Sequence, residues 1–175
     1  MDDARSSPSP PSPPSPSSSS AYSYGLLNYP LISAIVSFAV AQSIKFFMTW
    51  YRERRWDAKL LIGSGGMPSS HSATVTALAA AIGIQDGLGS SIFAAATIFA
   101  SVVMHDAFGV RLHAGKQAEV LNQIVYELPA DHPLSDTRPL RELIGHTPLQ
   151  VIAGAFLGFV IATTGQLIKK VAGGT

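Results

Sequence analysis

The stretch "YPLISAIVSFAVAQSIKFFMTW", Tyr29–Trp50, decides the environment of this chain. A helix needs roughly 20 predominantly apolar residues to cross a bilayer, and this run is long enough. Its one charge, Lys45, lies near the far end, where a long stem can carry an ammonium group to the interface or into a polar cavity. The rest of the chain agrees. Hydrophobic residues make up 47% and charged residues only 13%, whereas a soluble domain usually carries about 25% charged residues. Too few charges remain to cover a water-facing surface, so the 175 residues are expected to form a membrane protein of one domain.

Three further apolar runs follow. Ser70–Ile84 is short and rich in Ala and Thr, and suits a buried, re-entrant or spanning helix. Leu88–Val110 carries His105 and Asp106 near its end. Pro148–Ile168 holds Gly154 and Gly158 at the spacing that lets two helices approach closely. Between the last two, "AGKQAEVLNQIVYEL" (114–128) puts Val120, Leu121, Ile124, Val125 and Leu128 on one helical stripe, as in an amphipathic helix at an interface. "PADHPLSDTRP" (129–139) is a loop by its prolines and turn residues. The expected fold is all-α: a multi-pass bundle of about four apolar helices plus an amphipathic interfacial helix, spanning 29–170. Residues 1–28 open with a Ser/Pro tract that has almost nothing to bury and is expected to be a disordered tail. Asp2, Asp3 and a lone Arg5 argue against a transit peptide.

Basic residues orient the bundle. Arg52, Arg54, Arg55 and Lys59 follow the first run; Arg111, Lys116, Arg138 and Arg141 populate the long link 111–147. The short link Gln85–Gly89 has neither Lys nor Arg. By the positive-inside rule the two basic links share one side. Lys45, Arg52, His71, Asp106, Arg111, Arg141 and His146 are therefore expected at a single membrane face.

Two helix starts on that face suggest chemistry. In "GGMPSSHSA" (65–73), Gly65 and Gly66 allow unusual backbone angles, Pro68 blocks an earlier helix start, and Ser69 or Ser70 can cap. First-turn amides and the macrodipole make such an end attractive to anions, and His71 stands beside them. In "GHTPLQVIAGAFLG" (145–158), Thr147 suits the N-cap, Pro148 the first helical position, and Gln150 closes a capping box. His146 precedes that cap. Two histidines at two helix mouths suit an anion held between them, one imidazole attacking phosphorus and the other donating a proton. Lys45, Arg52 and Arg141 would supply positive charge to the oxygens. A plainer role is open as well: capping serines that only start a helix, interfacial histidines, and arginines that only set topology. Asp106 can serve the site or simply bridge to Arg111 or Lys116. His113 and His132 fit ordinary surface positions.

The segments "KFFMTWYR" (45–52), "PSSH" (68–71) and "GHTPLQVIAGAFLG" resemble the three signatures of the type 2 phosphatidic acid phosphatase and vanadium-dependent haloperoxidase superfamily. With "DAFGVR" and "GKQAEVLN", the stretch from about Tyr29 to Ile168 resembles its small divergent branch. The resemblance implies a histidine nucleophile, His146, and a histidine general acid, His71. It also implies a phosphate cradle of Lys45, Arg52, Ser69, Ser70 and Arg141, with no metal or other cofactor. Three departures stand out. Ser70 replaces a glycine, and Arg141 lies one residue too close to His146, so Arg111 is a substitute cation. Gln150 takes the place of the aspartate that orients the nucleophile. The function this implies is hydrolysis of phosphate monoesters or diphosphates, most naturally of lipids, with no nucleic-acid partner. Non-catalytic binding of a phosphorylated lipid is the alternative that Gln150 favours. A bundle that forms homo-oligomers through Gly154 and Gly158 is a third option.

Overall fold

In a computed structural model of the chain, residues 28–53 and 66–173 are described. Five helices appear in order: α1 (Tyr29–Glu53), α2 (Ser70–Asp86), α3 (Ser91–Phe108), α4 (Val110–Tyr126) and α5 (Pro148–Gly173). No strand occurs among the described residues. The proposed tail up to residue 27, together with Arg54, Arg55, Lys59 and Gly65, lies outside them.

α2 is the centre of the bundle, and α1, α3 and α5 all pack on it. Its composition explains this placement. Ala73, Ala77 and Ala81 are fully buried, and such small side chains let neighbouring backbones come close. In lipid, where tails are as apolar as leucine, helices associate mainly through close van der Waals packing. The outer helices carry the large residues outward: Ile35, Phe47, Ile98, Phe99, Ile152 and Phe156 are all exposed. An apolar surface this extensive suits acyl chains rather than water. Three segments are long and apolar enough to cross a membrane, Tyr29–Tyr51, Ser91–Tyr126 and Pro148–Val171. With 17 residues, α2 is only about 25 Å long and sits sheltered among them.

The helices run up and down. Lys45 near the end of α1 meets Ser70 at the start of α2, and the short turn after Asp86 reverses the chain into α3, capped by Ser90. α3 returns to the Lys45 end, and α5 starts there, where the Ser69 amide donates to the Gln150 carbonyl at 3.0 Å. At the opposite end the Tyr29 hydroxyl donates to the Ala162 carbonyl, and the Lys169 ammonium lies 5.5 Å from the Tyr29 ring centroid. The expected convergence of distant segments on one end of the bundle is present.

Gly154 and Gly158 are used inside the chain. A Cβ on Gly154 would lie 2.3 Å from the Ser69 carbonyl oxygen, and one on Gly158 2.2 Å from that of Ala73. Both are spent on the α2–α5 approach, so the expectation that they present a face to a second copy is corrected.

Gly109 breaks α3 from α4, and among the helices α4 touches α3 alone. The predicted stripe is real and faces outward: Val120, Leu121 and Ile124 are exposed, while the face turned to the protein carries the small Gly115 and Ala118. Val125 and Leu128 are half-buried, and Leu121 and Val125 border the 135–140 segment, so the part of the stripe left exposed, Val120 and Ile124, is what fits a helix lying against the membrane interface.

Candidate active site

At the Lys45 end, two helix starts lie side by side. Gly66 takes a left-handed φ of 79° before Pro68, and Ser69 rather than Ser70 caps α2. The Ser69 hydroxyl accepts from the Ser72 amide at 3.3 Å and from the Ser72 hydroxyl at 2.9 Å. With the Ser69 amide given to Gln150 and the Ala73 amide to the Ser69 carbonyl, Ser70 and His71 keep the free first-turn amides among the described residues.

Lys45 is almost fully buried and donates to the Ser70 hydroxyl at 3.2 Å. The described residues offer it no carboxylate, since the ion pair found among them is Arg111–Asp106. A buried ammonium held only by a neutral hydroxyl is a charge that lacks its counterion. Such a group draws anions.

His146 is built into place from three directions. Its amide donates to the Ala107 carbonyl at 2.9 Å, fixing it to the end of α3. Gly145 passes so close to α4 that a Cβ would lie 2.3 Å from the Leu112 backbone. Finally, Asn122 grips the preceding segment: its side chain accepts from the Leu140 amide at 2.8 Å and donates to the Leu140 carbonyl at 2.9 Å and to a Glu142 carboxylate oxygen at 2.8 Å. Sequence reasoning missed this clamp, although Asn122 ends the quoted "GKQAEVLN" segment. An asparagine on the polar flank of an amphipathic helix looks like a solvated residue until the segment it holds is known.

The capping box forms as the spacing predicts. The Thr147 amide donates to Gln150 Oε1 at 3.0 Å, and the Gln150 amide to the Thr147 hydroxyl at 3.4 Å. The same Oε1 lies 3.2 Å from His146 Nδ1. This fixes the imidazole's tautomer. A backbone N–H can only donate, so the Gln150 atom facing Thr147 is the oxygen; a hydrogen bond to His146 then requires the proton on Nδ1. Nε2 keeps its lone pair, the form in which an imidazole attacks or accepts. Burial pushes the His146 pKa below its usual value, and the charges of Lys45, His71 and Arg111 push the same way; only the Gln150 hydrogen bond opposes them. His146 is neutral at pH 7.

His71, Asp106, Ala107, Arg111 and His146, with Val103 and Ile144, line one small cleft of about 30 Å³. His71 is exposed at its mouth and His146 buried within it. Asp106 pairs with the Arg111 Nε edge, leaving the two terminal nitrogens of that guanidinium for other partners. Arg141 and Lys116 do not line the cleft, and both are exposed. Arg111 therefore occupies the place that sequence spacing offered to Arg141. Arg52 falls in the last turn of α1, and its side chain lies outside the described residues. No group of acidic or histidine residues that could hold a metal occurs among those described.

The assembly offers a neutral imidazole with a free lone pair, a second imidazole at the mouth, a buried ammonium with no carboxylate partner among the described residues, and a guanidinium fork. The positive ends of α2 and α5 point the same way. It is equipped to receive a tetrahedral oxyanion. An uncharacterized membrane protein of Bacillus subtilis (strain 168), YuiD, is 40% identical over 146 residues, covering 78% of this chain and 92% of that protein. No solved structure matches. The sequence profile of the divergent PAP2 family matches residues 26–161, a span that contains all five residues of the cleft and its surroundings that carry charge or imidazole: Lys45, His71, Asp106, Arg111 and His146. The chain is a multi-pass membrane protein and belongs to the divergent PAP2 family.

Proposed function

We propose that the protein is a membrane phosphohydrolase that cleaves phosphate monoester or diphosphate groups of lipids. The observation that carries this is His146: neutral, held with Nε2 unprotonated, and facing a cleft with His71 beside two cations. Nε2 of His146 attacks phosphorus as the ester P–O bond breaks, and protonated His71 gives its proton to the leaving oxygen. Water then attacks the phosphorus, the N–P bond breaks, and His71 takes the water's proton. Lys45, Arg111 and the Ser70 and His71 amides offset the charge on the equatorial oxygens, which is the main demand of phosphoryl transfer. The test is phosphate release from lipid phosphates by protein purified in detergent; absence of release from every lipid phosphate tried refutes it.

Gln150 gives a second reading specific support. A neutral amide orients His146 without stabilising the imidazolium-like charge that develops on attack, and in a serine protease the analogous loss of charge costs about 10⁴ in rate. On this view the protein binds phosphorylated lipid without turning it over. Saturable vanadate binding with no phosphate release selects this alternative.

Two outcomes follow for the hydrolase. Burial and the charges of Arg111 and Lys45 lower the His71 pKa as well as that of His146, so kcat/KM should rise as pH falls from 7 and His71 gains the proton it donates, and should drop only below the usual imidazole value, where His146 is protonated. Each proton gained by His146 removes the attacking lone pair, so an acid limb centred above that value contradicts the assignment. Arg111→Ala should weaken vanadate or phosphate binding by roughly tenfold or more, the worth of a charge-assisted hydrogen bond. Arg141→Ala should change it less than about twofold, as an exposed charge does. Titration of the two variants side by side checks the substitution of one arginine for the other.

A further inference from the structure

A groove of about 510 Å³ runs along the outside of α2 and α3 beneath Phe159 of α5. Ala79, Gly83 and Ala100 form its buried floor, and exposed Thr97 and Ser101 stand on its lip. Its lining holds no charge. The Ser101 hydroxyl is turned back to the Thr97 carbonyl at 2.9 Å, which leaves the Thr97 hydroxyl as the polar group on an otherwise apolar lip. From Phe93 to Met104 the groove follows α3 for about 16 Å.

Its upper end lies next to the cleft. Met104 lines the groove, whereas Val103 and Ala107, a turn or less away on the same helix, line the cleft. Between the two lies a Thr76 hydroxyl to Met104 sulfur contact at 3.9 Å, and an unbranched thioether is an adaptable partition. At the lower end Gly83, Phe93 and Leu88 pack together. A Cβ on Gly83 would lie 2.8 Å from the Phe93 ring and 3.1 Å from the Leu88 side chain, so these residues already meet there.

We propose that this groove seats the hydrocarbon chain of the phosphorylated lipid whose phosphate enters the cleft, with Phe93 and Leu88 as the stop that sets chain length. The inference rests on the phosphohydrolase reading and adds the route of the substrate: sideways from the bilayer, along α3. A chain lying there keeps apolar surroundings throughout, while its headgroup reaches Arg111 and His71 without leaving the protein. A water-soluble phosphate ester needs no such groove.

The test uses the full chain in nanodiscs with hexadecyl phosphate and butyl phosphate as substrates. Thr97→Trp fills the groove from its exposed lip, Ala100→Leu raises its floor, and Ile98→Trp places the same bulk on the neighbouring outward face. Thr97→Trp and Ala100→Leu, each confirmed monodisperse, should raise KM for hexadecyl phosphate about tenfold, the loss of a few buried methylenes. They should leave kcat/KM for butyl phosphate within twofold, and Ile98→Trp should change neither. Equal effects on both substrates, or none on either, overturn the proposal. If neither substrate is hydrolysed, it is the phosphohydrolase reading that fails, and the groove is then read by binding. A doxyl-labelled alkyl phosphate should quench the indole introduced by Thr97→Trp above the background of Trp50 and Trp56, and excess hexadecyl phosphate should relieve it. Quenching that Ile98→Trp shares equally, with no relief, identifies an ordinary bilayer lipid and overturns the groove as well.

Discussion

His146→Ala is expected to lower phosphate release from a lipid phosphate by about 10⁴-fold or more, the scale on which loss of a nucleophile acts. The substitution removes Nε2 but leaves the backbone bond from the residue 146 amide to the Ala107 carbonyl, so the fold around the cleft should persist. Gln150 variants give the graded companion. Gln150→Leu loses both the capping oxygen and the bond that holds the proton on Nδ1. It should reduce the rate strongly and cost about 1 kcal/mol of stability, as a lost cap does. Gln150→Glu keeps the reach to Thr147 and adds a negative charge next to His146. That charge favours the imidazolium-like state, so the acid limb should move to higher pH and turnover should rise. Aspartate is one methylene shorter and need not span the same distance. Phosphate release across pH, with thermal unfolding of each variant, checks the series. Wild-type turnover matched by His146→Ala removes the nucleophile assignment, and unchanged turnover in Gln150→Leu removes the orienting role.

Gly158→Ala is expected to be severely damaging for a single methyl. Its Cβ would lie 2.2 Å from the Ala73 carbonyl oxygen and 3.0 Å from the Ala77 amide nitrogen. Both are backbone atoms of the central helix, which cannot move aside as a side chain can. Separating α2 from α5 would also draw apart Ser69 and Gln150, hence the two helix starts that frame the cleft. A loss of about 4 kcal/mol or more is the scale of such disruption, enough to prevent recovery of folded protein. Gly165→Ala on the same helix is the control. There the new methyl would meet the Tyr29 ring at 3.4 Å, close to ordinary contact, and thermal unfolding in detergent should shift little. Equal behaviour of the two variants rules out backbone approach as the reason for the glycine.

The bundle was readable because each of its causes is local. Tyr29–Trp50 is apolar over enough length to cross a bilayer. Thr147, Pro148 and Gln150 spell a helix start in four positions, and the serine pair Ser69–Ser70 does so for α2, although only the structure chooses Ser69 as the cap. The break after the third run was blurred: Leu88–Val110 becomes α3 from Ser91 to Phe108, since Gly87 and Gly89 hold a turn open and Gly109 ends the helix. The stripe on α4 was visible as a period, but which of its residues stay exposed depends on the 135–140 segment that Leu121 and Val125 border.

The site was half legible. Residue type and spacing identify two histidines, a lysine at the end of a span and the unusual glutamine. They cannot rank Arg111 against Arg141, which are equally basic and equally close to a motif in the chain. Nor can they find Asn122, whose role lies in a segment 18 residues away.

From sequence alone come the membrane environment, the number of helices and the start of α5, and the chemical kinds of group expected at one end, because burial in lipid and helix termination depend on near neighbours in the chain. The tertiary structure alone decides which guanidinium enters the cleft, which nitrogen of His146 is left free, and that Gly154 and Gly158 serve α2. Those outcomes depend on distances of a few ångströms between residues remote in sequence, and a one-dimensional pattern does not encode them.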